Sequence, residues 1–392
     1  MREGSSSFAV SLFFGWVPDL LAKVKNRILG SWSNLRGLHT RRRLVVFDSD
    51  DWGAIRMRDP AAFEELVRHG LQMQACAYDR LDCIESGADL EHLFNVLSAF
   101  LDKTGRPPVF TFNTIMGNPD FDAIKASDFT TYVHEPFPKS YLRYRGEDLE
   151  PLWRNASREK IIQPQFHGRE HVNVGLWMRD LQQGHPETRS AFEYDYYGLT
   201  TITSAGRRRD YLAAHWPAAA GHLEPIRIAI TEGLGLFETT FGFPSRSFIA
   251  CNYVWPDELE GTLAEHGVRL LKGQRGQIRP SADGRKVSIR RPYTGQRNHL
   301  GQWYAVRNVL FEPFEDSAKD WVSSALGQIS DAFLWRKPAI ISTHRVNYVG
   351  GMDLKHRDRS LRLLNELIGK ILVRWPDVEF ISADELIDVM QH

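Results

Sequence analysis

The chain has 392 residues, and its 49 lysines and arginines balance its 49 aspartates and glutamates. This length suits one large α/β domain or two ordinary ones. The balanced charge excludes an overall electrostatic preference for nucleic acid, so we expect no nucleic-acid partner. Three cysteines, Cys76, Cys83 and Cys251, exclude a closed disulfide framework and lack the paired spacing of a zinc motif. They predict reduced thiols and a cytoplasmic protein.

The N-terminal segment, residues 1–43, differs in character from the rest of the chain. The apolar stretch at 8–17 is too short to cross a bilayer and lacks a signal-peptide cleavage pattern. Between residues 16 and 35, apolar side chains recur at helical spacing among lysines and arginines, which predicts an amphipathic helix. Such a helix can dock on the body of the protein or rest on a membrane surface, so 8–35 is a candidate peripheral membrane contact. The basic run Arg41–Arg43 ends the segment.

The first predicted strand of the body, Leu44–Phe47, runs directly into Asp48, Asp50 and Asp51, followed by Trp52. An apolar run of this kind is typical of a buried strand. Polar groups at the C-terminal ends of strands carry the chemistry of open and barrel-shaped α/β folds. Three carboxylates crowded at such an end repel one another, so a metal ion or a buried proton must compensate their charge.

Strands alternate with helices after this cluster. The sequence predicts a helix from Asp59-Pro60 to Gly70 and a second one over 89–103. The other strand candidates are Val109–Phe112, Ile161–Phe166, Phe248–Cys251, Val268–Leu271, Val306–Phe311, Ile340–Thr343 and Val378–Ile381. About eight such strands predict an α/β fold with a parallel sheet, namely a distorted (β/α) barrel of seven or eight strands in a single domain, 44–392.

Three long polar stretches are predicted insertions in this barrel. They lie near residues 116–160, 184–215 and 273–302. Long insertions commonly decorate the catalytic face of a barrel, so they are candidate substrate walls. The third is strongly basic, and it is equally consistent with a solvated hairpin.

Histidines follow two of the later strands. His167 and His171 come directly after Ile161–Phe166, and a spacing of four places both imidazoles on one face if the segment is the first turn of a helix, within reach of one metal. His344 ends the strand Ile340–Thr343, a position suited to a general acid. Other histidines, such as His69, His92, His215 and His356, are predicted to be surface groups.

These three clusters, in this order, resemble the motifs of the polysaccharide deacetylase superfamily, the metal-dependent carbohydrate esterases built on a distorted (β/α) barrel. The first motif of that family is a strand ending in two nearby aspartates, one a metal ligand and one a base. The second is a histidine pair of H-x-x-x-H form, and the last is a strand-terminal histidine near the C-terminus. The resemblance covers roughly residues 44–386, and it marks the chain as a divergent member.

The resemblance implies hydrolysis of an acetyl or similar acyl group on a carbohydrate. His167 and His171 would bind one divalent ion together with a carboxylate, and His344 would be the acid. Zinc is the default ion for such a ligand set, which also accepts cobalt or nickel. The three aspartates leave two assignments open: Asp48 as base with Asp50 as ligand, or Asp50 as base with Asp51 as ligand. We expect Asp50 on the metal with Asp51 beside it, and Asp48 as base.

The chain departs from the family at the arginine-proline-aromatic motif. The nearest segment, 247–256, contains no arginine beside its aromatic and proline residues that could orient the base. The predicted substrate contacts are Trp52, Asn252, Trp255 and Arg345.

Two other functions remain open from the sequence. Residues 167–171 also fit the H-x-x-E-H motif of zinc peptidases, in which Glu170 would be the base and Glu238 or Glu258 the third ligand. That motif lies within a helix, and Gly168 disfavours helix by about 1 kcal/mol. The third function is a saccharide-binding protein without catalysis on the same barrel.

Overall fold

The computed structural model describes residues 36–202 and 208–391. The predicted amphipathic segment, 8–35, lies outside these residues. In the part of the chain that the structure describes, no helix has both the length and the apolar character needed to span a membrane.

Fifteen strands are present in the described residues. They are β1 (Arg43–Trp52), β2 (Phe110–Ile115), β3 (Gly117–Pro119), β4 (His134–Pro136), β5 (Ile162–Gly168), β6 (Thr200–Ile202), β7 (Arg208–Asp210), β8 (Ser247–Ile249), β9 (Leu270–Gly273), β10 (Gln277–Pro280), β11 (Val287–Arg290), β12 (Trp303–Val306), β13 (Val309–Leu310), β14 (Ala339–His344) and β15 (Val378–Phe380). Nine of them form one sheet in the order β12-β9-β8-β5-β2-β1-β14-β13, with β15 also paired to β1. Every pairing in this sheet is parallel.

The sheet curls into a barrel whose seam lies between β12 and β13. These two strands are at opposite ends of the hydrogen-bonded order, yet only Arg307 and Asn308 separate them in the chain. Arg307 N donates to Gly273 O on one side of the seam, and Asn308 N donates to Ile340 O on the other. The predicted (β/α) barrel is therefore confirmed. The predicted single strand Val306–Phe311 is wrong, because the chain crosses the seam at this point.

The helices pack around the barrel. They are α1 (Pro60–Arg68), α2 (Ala77–Leu81), α3 (Gly87–Ser98), α4 (Phe121–Ala126), α5 (Phe137–Arg145), α6 (Glu150–Arg158), α7 (Val174–Gln182), α8 (Pro186–Phe192), α9 (Leu223–Phe241), α10 (Glu258–Glu265), α11 (Trp321–Leu334), α12 (Leu354–Arg374) and α13 (Leu386–Gln391). The predicted cap of α1 is confirmed, because the Asp59 carboxylate accepts from Ala62 N at 2.7 Å. The second predicted helix begins earlier, at a capping box of Ser86 and Asp89, and ends at Ser98.

The stretches predicted as insertions contain short elements outside the main sheet. The first holds the antiparallel pair β3–β4 with α4, α5 and α6, the second holds α8 and the pair β6–β7, and the third is the hairpin β10–β11. Because the strands of the barrel are parallel, their C-terminal ends share one rim, which we call the carboxyl edge. Their N-terminal ends share the opposite rim, the amino edge.

Candidate active site

The strand register brings Asp50 next to His344 at the carboxyl edge. β1 and β14 are neighbours, and Asp50 pairs directly with His344. Side chains alternate between the two faces of a strand, so Asp48 and Asp50 point to the same face. Asp48 contacts Lys272 of β9, which is not a neighbour of β1, and this contact crosses the barrel interior. Both carboxylates therefore point into the barrel.

Asp51 is aimed by a local irregularity of the backbone. The register between β1 and β2 shifts between Ser49 and Trp52, and Asp51 has a left-handed backbone with φ 76°. A non-glycine residue in this region costs about 1–3 kcal/mol, and such strain concentrates at functional sites. A regular strand would point Asp51 away from the face of Asp50. The irregularity turns its carboxylate toward His167 and His171 instead.

Asp51 and the two histidines form a compact set of three donors. Asp51 Oδ1 lies 3.3 Å from His167 Nε2 and 3.2 Å from His171 Nε2. All three side chains are largely buried. Burial opposes ionisation of Asp51, but its hydrogen bonds with the two imidazoles hold the pKa of this carboxyl well below its ordinary value.

This donor set fits a divalent metal ion. Donors around a tetrahedral ion at about 2.0–2.1 Å are about 3.3–3.4 Å apart, close to the separations found here. His167 Nδ1 donates to Ile249 O at 2.8 Å, so Nε2, the ring nitrogen beside Asp51, is the one that would bind a cation. His171 Nδ1 is buried and finds no hydrogen-bond partner among the described residues. Ligand atoms of His167, His171 and Cys251 also lie within 4.8 Å of one another. Burial raises the pKa of the Cys251 thiol well above its ordinary value, so this donor starts as a neutral thiol.

The two histidines are not on a helical turn, contrary to the prediction. His167 lies in β5, while His171 lies in the loop before α7. Gly168 between them has φ 153°, and a Cβ there would come within 3.2 Å of Glu170 O. His215, predicted to be a surface group, is buried behind the pair. Burial and the neighbouring imidazoles lower the pKa of His215 to about 3, so it is neutral at ordinary pH.

Asp48 is a structural anchor, which does not support its predicted role as the base. Its side chain is fully buried, and its oxygens accept from Lys272 Nζ at 2.7 Å, Arg307 Nε at 2.8 Å and Asn113 Nδ2 at 2.8 Å. Burial opposes ionisation, but the Arg307 and Lys272 charges hold the pKa of Asp48 far below its ordinary value. Among the described residues, the side-chain contacts of Asp48 are with these three donors, whereas Asp50 also lies 3.6 Å from His344 Nε2.

Asp50 is held in a position suited to a base. Arg307 donates through Nη1 to Oδ2 at 2.7 Å and through Nη2 to Oδ1 at 2.5 Å, and Asn113 Nδ2 donates to Oδ1 at 2.7 Å. Among the described residues, Asp50 forms no hydrogen bond or ion pair with His167 or His171, whereas Asp51 lies within 3.3 Å of both imidazoles. Burial opposes ionisation, but Arg307 keeps the pKa of Asp50 below its ordinary value. The geometry therefore favours the assignment with Asp50 as base and Asp51 as ligand over the one that we expected.

His344 lies beside Asp50 at the carboxyl edge and is oriented by Glu312. His344 Nδ1 donates to Glu312 Oε1 at 2.6 Å, and its Nε2 lies 3.6 Å from Asp50 Oδ2. Asn347 Nδ2 holds the other oxygen of Glu312 at 2.8 Å. Burial opposes protonation of His344, but the Glu312 charge and hydrogen bond raise its pKa well above the ordinary value. The raised pKa favours the protonated imidazole, which is the form that a general acid requires.

Three of the four predicted substrate contacts are buried. Trp52 stacks on Phe112 at 3.7 Å between ring centroids, Trp255 is in the core, and Arg345 is fully buried. These three side chains have almost no exposed surface, which argues against contact with a substrate. Asn252 is exposed, and it precedes Tyr253, whose hydroxyl lies 3.0 Å from Arg307 Nη1. Both residues have left-handed backbones, with φ near 55°.

Arg345 instead belongs to a buried network beneath the site. It donates from Nε and Nη2 to Asp82, each at 3.1 Å, and from Nη1 to Glu85 at 2.9 Å and to Ala54 O. Glu85 in turn accepts from Gly53 N at 2.9 Å. These bonds fix the turn that directly follows Asp51.

The sequence analysis missed four side chains of the site. They are Asn113, Lys272, Arg307 and Glu312. Each directly follows an apolar residue in or next to a strand of the barrel, as Asp48 follows Phe47. The same rule applied to every strand end would have found them. Arg307 lies at the barrel seam, and its guanidinium donates to both Asp48 and Asp50.

The peptidase geometry is absent from the described residues. Glu170 is nearly buried and bonded to the Arg169 guanidinium, including a 3.1 Å bond from Nη2, and it lies outside any helix. Glu238 and Glu258 are exposed on α9 and α10. A base and third ligand of the predicted kind are therefore not assembled around His167 and His171.

Comparison with known proteins finds similarity only in structure. No family pattern matches the chain, and no curated protein matches its sequence. The 4-alpha-glucanotransferase from Thermococcus litoralis has a TM-score of 0.45 and 10% identity over 88% of this chain, which spans 40% of that protein. PuuE allantoinase has a TM-score of 0.43 and 10% identity, and the similarity covers 91% of this chain and 93% of the allantoinase chain.

The Xyl-CE4 domain of a multidomain xylanase from the hindgut metagenome of Trinervitermes trinervoides is also similar. Its TM-score is 0.36 with 9% identity, covering 88% of this chain and 90% of that domain. Similarity at this level does not extend to function. The function is therefore inferred from the geometry of the site itself.

Proposed function

We propose that the chain is a metal-dependent hydrolase that removes an acetyl or similar acyl group from a carbohydrate. The observation that carries the proposal is that a set of possible metal ligands and a possible acid–base pair lie at the same edge of the barrel. Asp51, His167 and His171 bring three donors together, and Asp50 and His344 lie beside them as a carboxylate and an imidazole 3.6 Å apart. The order of these residues along the chain is that of the polysaccharide deacetylase motifs.

Asp51, His167 and His171 are the residues that would hold the ion. A bound divalent ion, zinc by default, would lower the pKa of a bound water and polarise the acyl carbonyl. Cys251 is a further donor within reach of the same histidines.

Two side chains of the protein transfer the protons of the reaction, Asp50 as general base and His344 as general acid. Asp50 accepts a proton from the attacking water, whose oxygen forms a bond to the acyl carbon. Arg307 and Asn113 keep Asp50 ionised and fix its orientation. His344 gives its Nε2 proton to the leaving nitrogen or oxygen as the bond from the acyl carbon breaks. The products are the free carboxylic acid and the amine or alcohol of the sugar.

The proposal is tested by acetate release from oligomers of N-acetylglucosamine, with the full chain loaded with zinc. Asp50→Asn should lower the rate by about 10²- to 10⁴-fold, the usual contribution of a general base. Glu170→Gln is the control, because a peptidase of the H-x-x-E-H type would require Glu170. Circular dichroism and elemental analysis should show that both variants stay folded and keep the metal. Loss of hydrolysis in Glu170→Gln, with Asp50→Asn fully active, would contradict the proposal.

A further inference from the structure

The amino edge of the barrel, opposite the candidate active site, carries exposed apolar side chains. Three residues there are Val373 at 83% exposure, Leu334 at 73% and Leu101 at 61%, the highest values among the large apolar residues of the described chain. Leu334 and Val373 lie at the C-terminal ends of α11 and α12, and Leu101 lies just after α3. These helices are neighbours, since α12 packs against both α3 and α11. The three side chains therefore protrude from one row of helix ends.

Basic side chains surround this row. They are Arg41, Arg42, Arg43, Lys103, Arg336, Lys337 and Arg374. Asp377 pairs with Arg43, and Glu379 pairs with Arg42 and Lys103. In the described part of the chain no carboxylate contacts Arg41, Arg336 or Arg374, and all three are exposed. A cleft of about 320 Å³ opens between the Arg41–Arg43 run and Arg336.

The first described residues of the chain, from Arg36 to Thr40, lie at the same edge. Lys337 Nζ donates to Arg36 O at 2.7 Å and to Leu38 O at 2.8 Å, and Thr40 N donates to Arg336 O at 2.8 Å. The first described residues are thus tied to the amino edge. The segment directly before them, 8–35, has the basic amphipathic pattern that suits a bilayer surface.

We propose that the amino edge is a docking surface for a bilayer containing anionic lipids. Leu101, Leu334 and Val373 would enter the headgroup region, while the unpaired arginines would face lipid phosphates. A second copy of the chain is a poor occupant, because it would bring like charges together. Docking in this way turns the carboxyl edge, with the candidate active site, away from the membrane toward substrate in water.

The test is co-sedimentation of the full chain with phosphatidylcholine vesicles, with and without phosphatidylglycerol. The wild type should bind the anionic vesicles and lose binding as salt is added. The double variants Leu334→Ser/Val373→Ser and Arg41→Glu/Arg336→Glu should each weaken partitioning by about tenfold or more. The matched control, Val287→Ser/Ile289→Ser, removes side chains of 53% and 57% exposure from the hairpin β10–β11 and should bind like wild type.

Three outcomes would overturn the proposal. The first is that the wild type fails to bind anionic vesicles. The second is that both double variants bind as the wild type does. The third is a dimer in sedimentation velocity that the apolar double variant abolishes. Equal melting temperatures of the variants would show that a loss of binding is not a loss of folding.

Discussion

Two buried charge clusters of this barrel differ in how completely their groups are satisfied. Around Arg345, the guanidinium meets Asp82, Glu85 and Ala54 O, and Glu85 also holds Gly53 N. Around Asp51, two imidazole nitrogens converge on one carboxylate oxygen, and His171 Nδ1 has no partner among the described residues. Both clusters lie near the end of β1. In the Arg345 cluster the charged groups are paired with one another. In the Asp51 cluster a ring nitrogen remains without a partner in the described part of the chain.

The degree to which the buried polar groups are paired distinguishes a structural cluster from a candidate site better than the types of residue do. Both clusters combine side-chain nitrogens with carboxylates, and both are deeply buried. A closed network stabilises one conformation but offers nothing to a ligand. A cluster with converging, unsatisfied donors at a strained backbone position is typical of a site. Asp48 resembles the Arg345 cluster in this respect, because its carboxylate is paired with Lys272 and Arg307, although it lies in the same strand as Asp51.

The largest expected effect follows from Asp51→Asn. Asparagine keeps the size of the side chain but removes the charge that the two imidazoles converge on. We expect loss of the bound ion and a fall of about a thousandfold or more in acetate release, with the fold retained. Elemental analysis after dialysis measures the ion. Cys251→Ser is the paired control, and loss of metal in that variant alone would make Cys251 the third ligand in place of Asp51.

A substitution in the closed cluster should act on stability instead. Arg345→Met leaves Asp82 and Glu85 buried without their cation, so we expect the free energy of unfolding to fall by about 3–5 kcal/mol in urea titrations. Adding Asp82→Asn and Glu85→Gln should restore part of this loss, because the orphaned charges disappear. An Arg345→Met chain of normal stability with a raised KM would instead favour the substrate contact that the sequence predicted.

A smaller effect is expected from Glu312→Gln, which changes only the proton affinity of His344. The acid must be protonated, so activity is lost as pH rises through the His344 pKa. Burial lowers that pKa and Glu312 raises it. Removing the Glu312 charge should therefore move the alkaline limb of the kcat/KM profile to lower pH. The acid limb, set by Asp50 and Arg307, should stay in place. An unchanged alkaline limb would contradict the role of His344.

Much of the fold could be predicted because it depends on local pattern. Apolar runs separated by helical periods predicted the parallel barrel, and Asp59 before a proline predicted the start of α1. The histidines and aspartates could be found because strand ends share one edge. The helical turn expected for His167 and His171 was wrong, since β5 continues through Gly168 before the chain turns. The burial of Arg345 could not be predicted, because its position at a strand end says nothing of the depth of that end.

The sequence by itself determined which chemical groups collect at the carboxyl edge, since strand direction and the alternation of side chains follow from local pattern. Only the tertiary structure decided their division of labour. The irregularity at Asp51 turns one carboxylate toward the imidazoles, and the seam crossing brings Arg307 to Asp48 and Asp50 from more than two hundred residues away. Contacts of that kind depend on how the sheet closes, and no local pattern encodes the closure.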